Sequence, residues 1–222
     1  MYNHIKFLES VGESFRNYNT FGKRSNKRIL PIHNFIANTV ESIFGNEYEI
    51  FCSGKNSEFK VTGKYYNKNV DITITRNKIP IFCIGVKFIT SNFKQNSNNY
   101  FEGMLGETAN IQSNDVPYAH VFILRTDTPY FDKDGNVKKI ESITNNDMNK
   151  YVKLLFDNSV AHKPFGIGLT FISETDTGIS ETFPEIDVKL GDIIKSNLNN
   201  SRLFDKIHEF KNYHEYNIGE QN

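Results

Sequence analysis

One stretch of the sequence is almost continuously apolar, and it limits the possible folds more than any other feature. Residues 79–88 read IPIFCIGVKF, a pattern typical of a strand that is covered on both faces in the middle of a sheet. Residues 70–75 alternate apolar and polar side chains, which predicts a half-buried strand. Only residues 76–78 separate the two, so we expect them to pair as a hairpin.

The remaining pattern predicts one α/β domain over residues 1–222, with a central mixed β-sheet flanked by helices. Apolar residues three and four apart predict helices, and short apolar runs predict strands. The predicted helices cover 4–18, 32–44, 100–112, 144–156, 189–198 and 203–213, and the further strands cover 48–52, 58–62, 116–124 and 165–172. We expect a core over about 32–172, a basic N-terminal segment over 1–30, and an acidic loop with C-terminal helices over 173–222.

Charge is unevenly distributed although the formal net charge is zero. Between residues 60 and 100, seven lysines and arginines stand against a single acid, Asp71. A polyanionic partner would explain this imbalance, because cations attract phosphate at long range. A solvated basic face, balanced by acidic residues elsewhere, is the alternative.

The acid in this basic stretch lies close to a lysine in the predicted hairpin. Asp71 is near the open end of the first strand, and Lys87 closes the second strand. Paired strands bring these two side chains to one edge of the sheet. A carboxylate with backbone carbonyls is a hard-oxygen site suited to Mg²⁺, and Lys87 would orient a water or stabilise charge on a phosphate.

This segment resembles the PD-(D/E)-x-K nuclease core found in type II restriction endonucleases. Val70-Asp71 and Gly85-Val86-Lys87 match its two motif segments, and the following helix and strand keep its element order. The resemblance covers about 60 of the 222 residues. It implies a restriction-endonuclease-like core, with Asp71, the Val86 carbonyl and a second acid holding Mg²⁺, and with Lys87 positioning the attacking water.

Position 85 departs from the motif, because glycine stands where the second acid is expected. The acid has moved to the next helix, or an acid at 85 has been replaced and activity lost, or the protein binds without cutting. For the first explanation we favour Glu102 over Glu107 as the catalytic, metal-holding acid. Glu58 is a possible additional ligand from a neighbouring strand.

Two polar segments are candidates for DNA contacts. Residues 91–99 form a predicted loop just past Lys87, and asparagine, glutamine and lysine are side chains that read base edges. Its candidates are Lys94, Gln95, Asn96, Asn98 and Asn99. The N-terminal basic loop would clamp phosphates through Lys23, Arg24, Lys27 and Arg28.

We therefore predict a Mg²⁺-dependent, sequence-specific endonuclease of a restriction system that acts on double-stranded DNA. Cutting both strands of a palindrome implies a homodimer. The alternatives are a catalytically silent DNA-binding protein on the same fold and a protein–protein interaction module. Residues 1–10 lack an apolar signal core, and the chain has only two cysteines and no apolar run of spanning length, so we expect a cytoplasmic protein away from membranes.

Overall fold

The long apolar run is an inner strand of a six-stranded mixed sheet. The computed structural model describes residues 1–22, 25–158 and 161–219. The strands are β1 (Glu49–Cys52), β2 (Phe59–Thr62), β3 (Asn67–Val70), β4 (Ile72–Arg76), β5 (Ile79–Ile89), β6 (Tyr118–Arg125), β7 (Asp127–Phe131), β8 (Val137–Ser142), β9 (Gly166–Thr175) and β10 (Gly178–Glu181). The helices are α1 (His4–Phe21), α2 (Leu30–Phe44), α3 (Phe93–Gln112), α4 (Asn145–Leu155), α5 (Val188–Asn197) and α6 (Asn200–Gly219).

The strand order in the main sheet is β1-β4-β5-β6-β9-β10. β1, β4 and β5 are antiparallel neighbours, β5, β6 and β9 run parallel, and β10 returns antiparallel to β9. The predicted α/β class with a mixed sheet between helices is thereby confirmed. Two small ribbons, β2–β3 and β7–β8, stand apart from this sheet.

Helices cover both faces of the sheet. Ile84 and Val86 of β5 pack in the cluster that includes α1, α2 and α6, whereas Phe122 and Leu124 of β6 pack in the cluster of α3, α4 and α5. Phe7 of α1 and Phe204 of α6 are fully or almost fully buried in the first cluster. The core therefore extends beyond residues 32–172 into both terminal helices.

The predicted polar loop over 91–99 is wrong, because α3 already begins at Phe93. Phe93 and Ser97 are both buried, one helical turn apart. This spacing places them on the inner face of a helix. A single apolar anchor among eight polar residues is too weak a periodic signal to show a helix in the sequence.

The predicted strand over 70–75 is interrupted at Asp71, so β3 and β4 are separate strands in different sheets. The sequence pattern predicted no strand over 63–69, and this range contains most of β3. The strands β7, β8 and β10 were not predicted either. Within the described residues, no helix combines the length and apolarity needed to cross a membrane.

Candidate active site

A cleft of about 320 Å³ opens beside β5, next to the point where β4 begins. Its wall carries two carboxylates and two basic side chains, which come from four different segments. These are Glu58, Asp71, Lys87 and Arg28. The structure thus brings the two motif residues, Asp71 and Lys87, together at one edge of the sheet.

Asp71 is held by the backbone of the neighbouring strand. Its Oδ2 accepts a hydrogen bond from the Val86 amide at 2.7 Å. Because Val86 also lines the cleft, this bond fixes the carboxylate beside the segment that leads to Lys87. Oδ1 is left for another partner.

Glu58 lies opposite Asp71 at the base of the β2–β3 ribbon. Phe59 pairs with Val70, and the two acids are the next residue on each side of that pair. The Glu58 carboxylate accepts a hydrogen bond from the Ser53 hydroxyl at 3.0 Å. The pairing of β2 with β3 therefore places both carboxylates in the cleft, at the end of the ribbon that joins the rest of the protein.

His33 of α2 also lines this cleft. Its side chain is buried, and neither ring nitrogen has a hydrogen-bond partner among the described residues. Burial lowers the pKa of His33, and the nearby Asp71 and Glu58 carboxylates oppose that shift only in part. The imidazole is therefore neutral near pH 7. Sequence analysis missed His33, because its position in the apolar pattern of the helix is typical of a core residue.

The donor set suits Mg²⁺ better than a metal that needs a complete protein cage. Mg²⁺ is held by one or two carboxylates, with water and substrate phosphate completing its shell, and Asp71 and Glu58 supply two carboxylates. Among the described residues, no three histidine, cysteine, aspartate or glutamate side chains converge in a metal-holding group. Both cysteines are buried and free.

Gly85 lies in a pocket that fits glycine alone. A Cβ at this position would be 2.7 Å from the Tyr118 hydroxyl and 2.9 Å from His120 Nδ1. Neither neighbour is loose, since both are buried and each has a hydrogen bond on α3, to Glu107 and Thr108 respectively. This packing speaks against the explanation that an acid at position 85 was replaced.

Glu107 is the acid of α3 that points to this part of the sheet. Its Oε1 is 2.9 Å from Lys68 Nζ and 3.8 Å from Lys87 Nζ, and its Oε2 accepts from the Tyr118 hydroxyl at 3.2 Å. Burial by itself would raise the pKa of Glu107, but Lys87 and Lys68 hold it below the ordinary value. An ionised carboxylate, that of Glu107, therefore lies close to the Lys87 ammonium.

Glu102, which the sequence favoured, is exposed on α3. Glu102 interacts electrostatically with Lys150 of α4. It is not among the residues that line the cleft. The structure therefore places Glu107, and not the favoured Glu102, beside Lys87. The two acids are about 1.4 helical turns apart, so they point in different directions. The sequence did not determine which side of α3 faces the sheet.

The polar run on α3 is largely tied to its own surroundings. Lys94 bonds to Asp147 at 2.9 Å and to Thr144 at 3.0 Å, and Asn98 accepts from Lys150 at 3.0 Å. Asn96 donates to the Asn92 carbonyl, while its side-chain oxygen accepts from Asn99. Gln95 is exposed. Lys94 thus joins α3 to the start of α4, and Asn98 joins it to the middle of α4.

We expect Lys94→Ala to lower stability and to leave DNA affinity unchanged. Burial alone would raise the pKa of Asp147, but Lys94 and Thr144 hold it below the ordinary value, so removal of the ammonium leaves a buried charge less well satisfied. The free energy of unfolding should fall by about 1–2 kcal/mol, measured by urea denaturation. Gln95→Ala, on the same helix, is the matched control and should change neither. A loss of DNA affinity with unchanged stability would return Lys94 to the DNA-binding set.

The described N-terminal basic residues, Lys27 and Arg28, have different surroundings. Arg28 lines the cleft and donates to the Phe88 carbonyl at 3.3 Å, whereas Lys27 lies over the Phe21 ring, 4.5 Å from its centroid. Lys23 and Arg24 lie outside the described residues. Of the two described members of this group, Arg28 lines the cleft and Lys27 does not.

A second cavity, of about 510 Å³, lies between β9, β10 and the two C-terminal helices. Leu169, Phe171 and Phe183 give it an apolar wall, and the His4–Glu181 pair at 2.8 Å borders it. It is lined by Lys195 but by a single carboxylate, Glu181, so it lacks the paired carboxylates of the smaller cleft. Asp71 and Lys87, the residues predicted from the motif, line the smaller cleft.

Comparison of the chain with protein-family models, with curated proteins and with solved structures gave no match. Function is therefore inferred from the residues of the cleft and the surfaces beside it.

Proposed function

We propose that this chain is a Mg²⁺-dependent endonuclease that hydrolyses phosphodiester bonds in double-stranded DNA, similar to type II restriction enzymes. One observation carries the proposal. Asp71 and Lys87, the two residues that match the PD-(D/E)-x-K motif, line a single cleft together with Glu58, the possible additional ligand.

The two carboxylates are the residues that would hold the cation. Asp71 keeps one oxygen outside its bond to the Val86 amide, and Glu58 lies across the ribbon base from it. When bound, Mg²⁺ supplies Lewis-acid polarisation of a phosphoryl oxygen and lowers the pKa of water. The Val86 carbonyl remains a candidate ligand on the same wall.

The basic side chains act on the phosphate and on the nucleophile. Lys87 is about one-third exposed, so its ammonium is available to orient a water and to stabilise charge on the phosphate. Arg28 also lines the cleft, and guanidinium groups pair with phosphate oxygens. These two cations would hold the scissile phosphate over Asp71.

Glu107 acts through Lys87 as a positioning residue. Both of its oxygens already have partners, Lys68 and Tyr118, so coordinating a metal would cost those bonds. The negative charge of Glu107 offsets the repulsion between the ammonium groups of Lys87 and Lys68, both of which are partly buried. In this role Glu107 supports Lys87, while Asp71 and Glu58 are the acids that would hold the cation.

Cutting both strands of a symmetric site would require two copies of the chain. We propose a two-fold homodimer, because the symmetry of the protein then matches that of the DNA site. The second candidate function is DNA binding without cleavage. The packing around Gly85 favours it, because there is no room for an acid at that position.

The test is incubation of the purified chain with mixed-sequence plasmid, with Mg²⁺ and with a chelator. We expect discrete fragments in Mg²⁺ and intact plasmid in the chelator. Gel-shift binding without cleavage would replace the nuclease proposal with the binding-only function. Absence of both cleavage and binding would overturn a role in DNA metabolism on this fold.

A further inference from the structure

The β2–β3 ribbon has one face turned to the protein and one turned to solvent. Phe59, Val61 and Val70 pack in a small core with α3, while Lys68 of the same face meets Glu107. The other face is exposed throughout, and it consists of Lys60, Thr62, Asn67 and Asn69. No hydrogen bond or ion pair of these four side chains forms within the described part of the chain.

These four residues are of the types that read base edges in the major groove. Asparagine pairs with adenine through two hydrogen bonds, lysine donates to guanine, and the threonine methyl contacts the thymine methyl. They form two cross-strand pairs, Lys60 with Asn69 and Thr62 with Asn67. A two-stranded ribbon of this kind fits the width of the major groove.

The ribbon is held rigidly, which base readout requires. Asn110 of α3 is buried, and its side-chain oxygen accepts from the Tyr65 amide at 2.9 Å while its nitrogen donates to the Tyr66 carbonyl at 2.9 Å. Asn114 donates to the Thr62 carbonyl at 2.8 Å. Gly63 leaves the space for Asn110, since a Cβ there would be 2.1 Å from its Nδ2.

The ribbon also starts at the cleft. Glu58 and Asp71 flank its base, and its tip carries two exposed tyrosines, Tyr65 and Tyr66. Four residues of strand from the base to the Thr62–Asn67 pair span about 13 Å. This is the length of about four base pairs, at about 3.4 Å each.

We propose that the exposed face of the β2–β3 ribbon, formed by Lys60, Thr62, Asn67 and Asn69, enters the major groove and reads the DNA sequence next to the cleft. This inference rests on the proposed function of the cleft. It places the recognised bases within about four base pairs of the scissile phosphate. It also replaces the polar run 91–99 as the main base-reading element.

The test compares sequence preference between variants. Wild-type chain and an Asn67→Ala, Asn69→Ala double variant select from a pool of randomised duplexes in Ca²⁺, with folding checked by circular dichroism. Each lost bidentate contact removes about 1–3 kcal/mol of discrimination. At one or two base positions, the preference of the double variant for the selected base should therefore be about 5- to 150-fold weaker. The wild-type chain should keep its full preference at those positions.

Gln95→Ala and Asn98→Ala, in the polar run of α3, are the matched controls and should keep the wild-type preference. Wild-type preference in the ribbon double variant would overturn the inference. So would relaxed preference in the α3 controls alone, or a wild-type chain that binds and cuts without preference. A wild-type chain that neither binds nor cuts would instead overturn the proposed function, so the two failures are distinguishable.

Discussion

Asp71→Asn should reduce DNA cleavage by about 10³-fold while leaving the fold and DNA binding intact. The substitution keeps the shape of the side chain, and its amide oxygen can still accept the 2.7 Å hydrogen bond from the Val86 amide. What it removes is the negative charge that would hold Mg²⁺ beside Glu58. Loss of a group that organises charge in the transition state costs orders of magnitude in rate.

The measurement is the rate of plasmid cleavage under single-turnover conditions, together with DNA affinity in Ca²⁺. Affinity should stay the same or rise, because a carboxylate facing phosphate is removed. Glu102→Gln is the matched control and should cut at the wild-type rate, since Glu102 is exposed away from the cleft. Wild-type cleavage by Asp71→Asn would contradict the assignment of the cleft as the active site.

The sequence showed the elements that carry strong periodic signals. The run 79–88 and its alternating neighbour predicted the paired strands β4 and β5, and with them the meeting of Asp71 and Lys87 at one edge. This worked because strand alternation and a short connection determine register locally. The helix predicted over 144–156 similarly agrees with α4 and its N-cap Thr144.

The sequence could not show which acid of α3 lies beside Lys87. Glu102 and Glu107 are on the same helix, and the choice depends on how α3 is rotated against β6. Buried Met104, Thr108 and Ile111 set that rotation, and their positions in the core follow from tertiary packing. The exposed face of the ribbon was missed for a related reason, because β3 has a single buried apolar residue, Val70, and its polar residues are typical of a turn.

Gly85→Glu should destabilise the protein strongly, and it should not create activity. The new Cβ would be 2.7 Å from the Tyr118 hydroxyl, which itself is 3.2 Å from the Glu107 carboxylate. The added carboxylate would therefore be forced against buried side chains and close to an existing negative charge. Overpacking and burial of an unpaired charge together should cost about 3–5 kcal/mol.

For a chain of this size, such a loss lowers Tm by roughly 10 °C, which thermal unfolding monitored by circular dichroism would show. Gly85→Ala separates the steric part and should cost about 1–3 kcal/mol. Gly106→Ala on α3 is the matched control, because a Cβ there meets nothing within 4 Å. It should stabilise the helix by about 0.5–1 kcal/mol.

The same variant separates the three explanations for the missing acid. If an acid at position 85 had been lost, Gly85→Glu would fold with a Tm near that of the wild type and would cut DNA faster. If Glu107 supports Lys87 from α3, the substitution disturbs Tyr118 and Glu107, and cleavage falls together with stability. In a protein that binds without cutting, stability falls while cleavage is absent from both chains. His120 adds an electrostatic reason for the loss of stability. Burial lowers its pKa to about 3, so the neutral ring offers the new carboxylate no compensating positive charge.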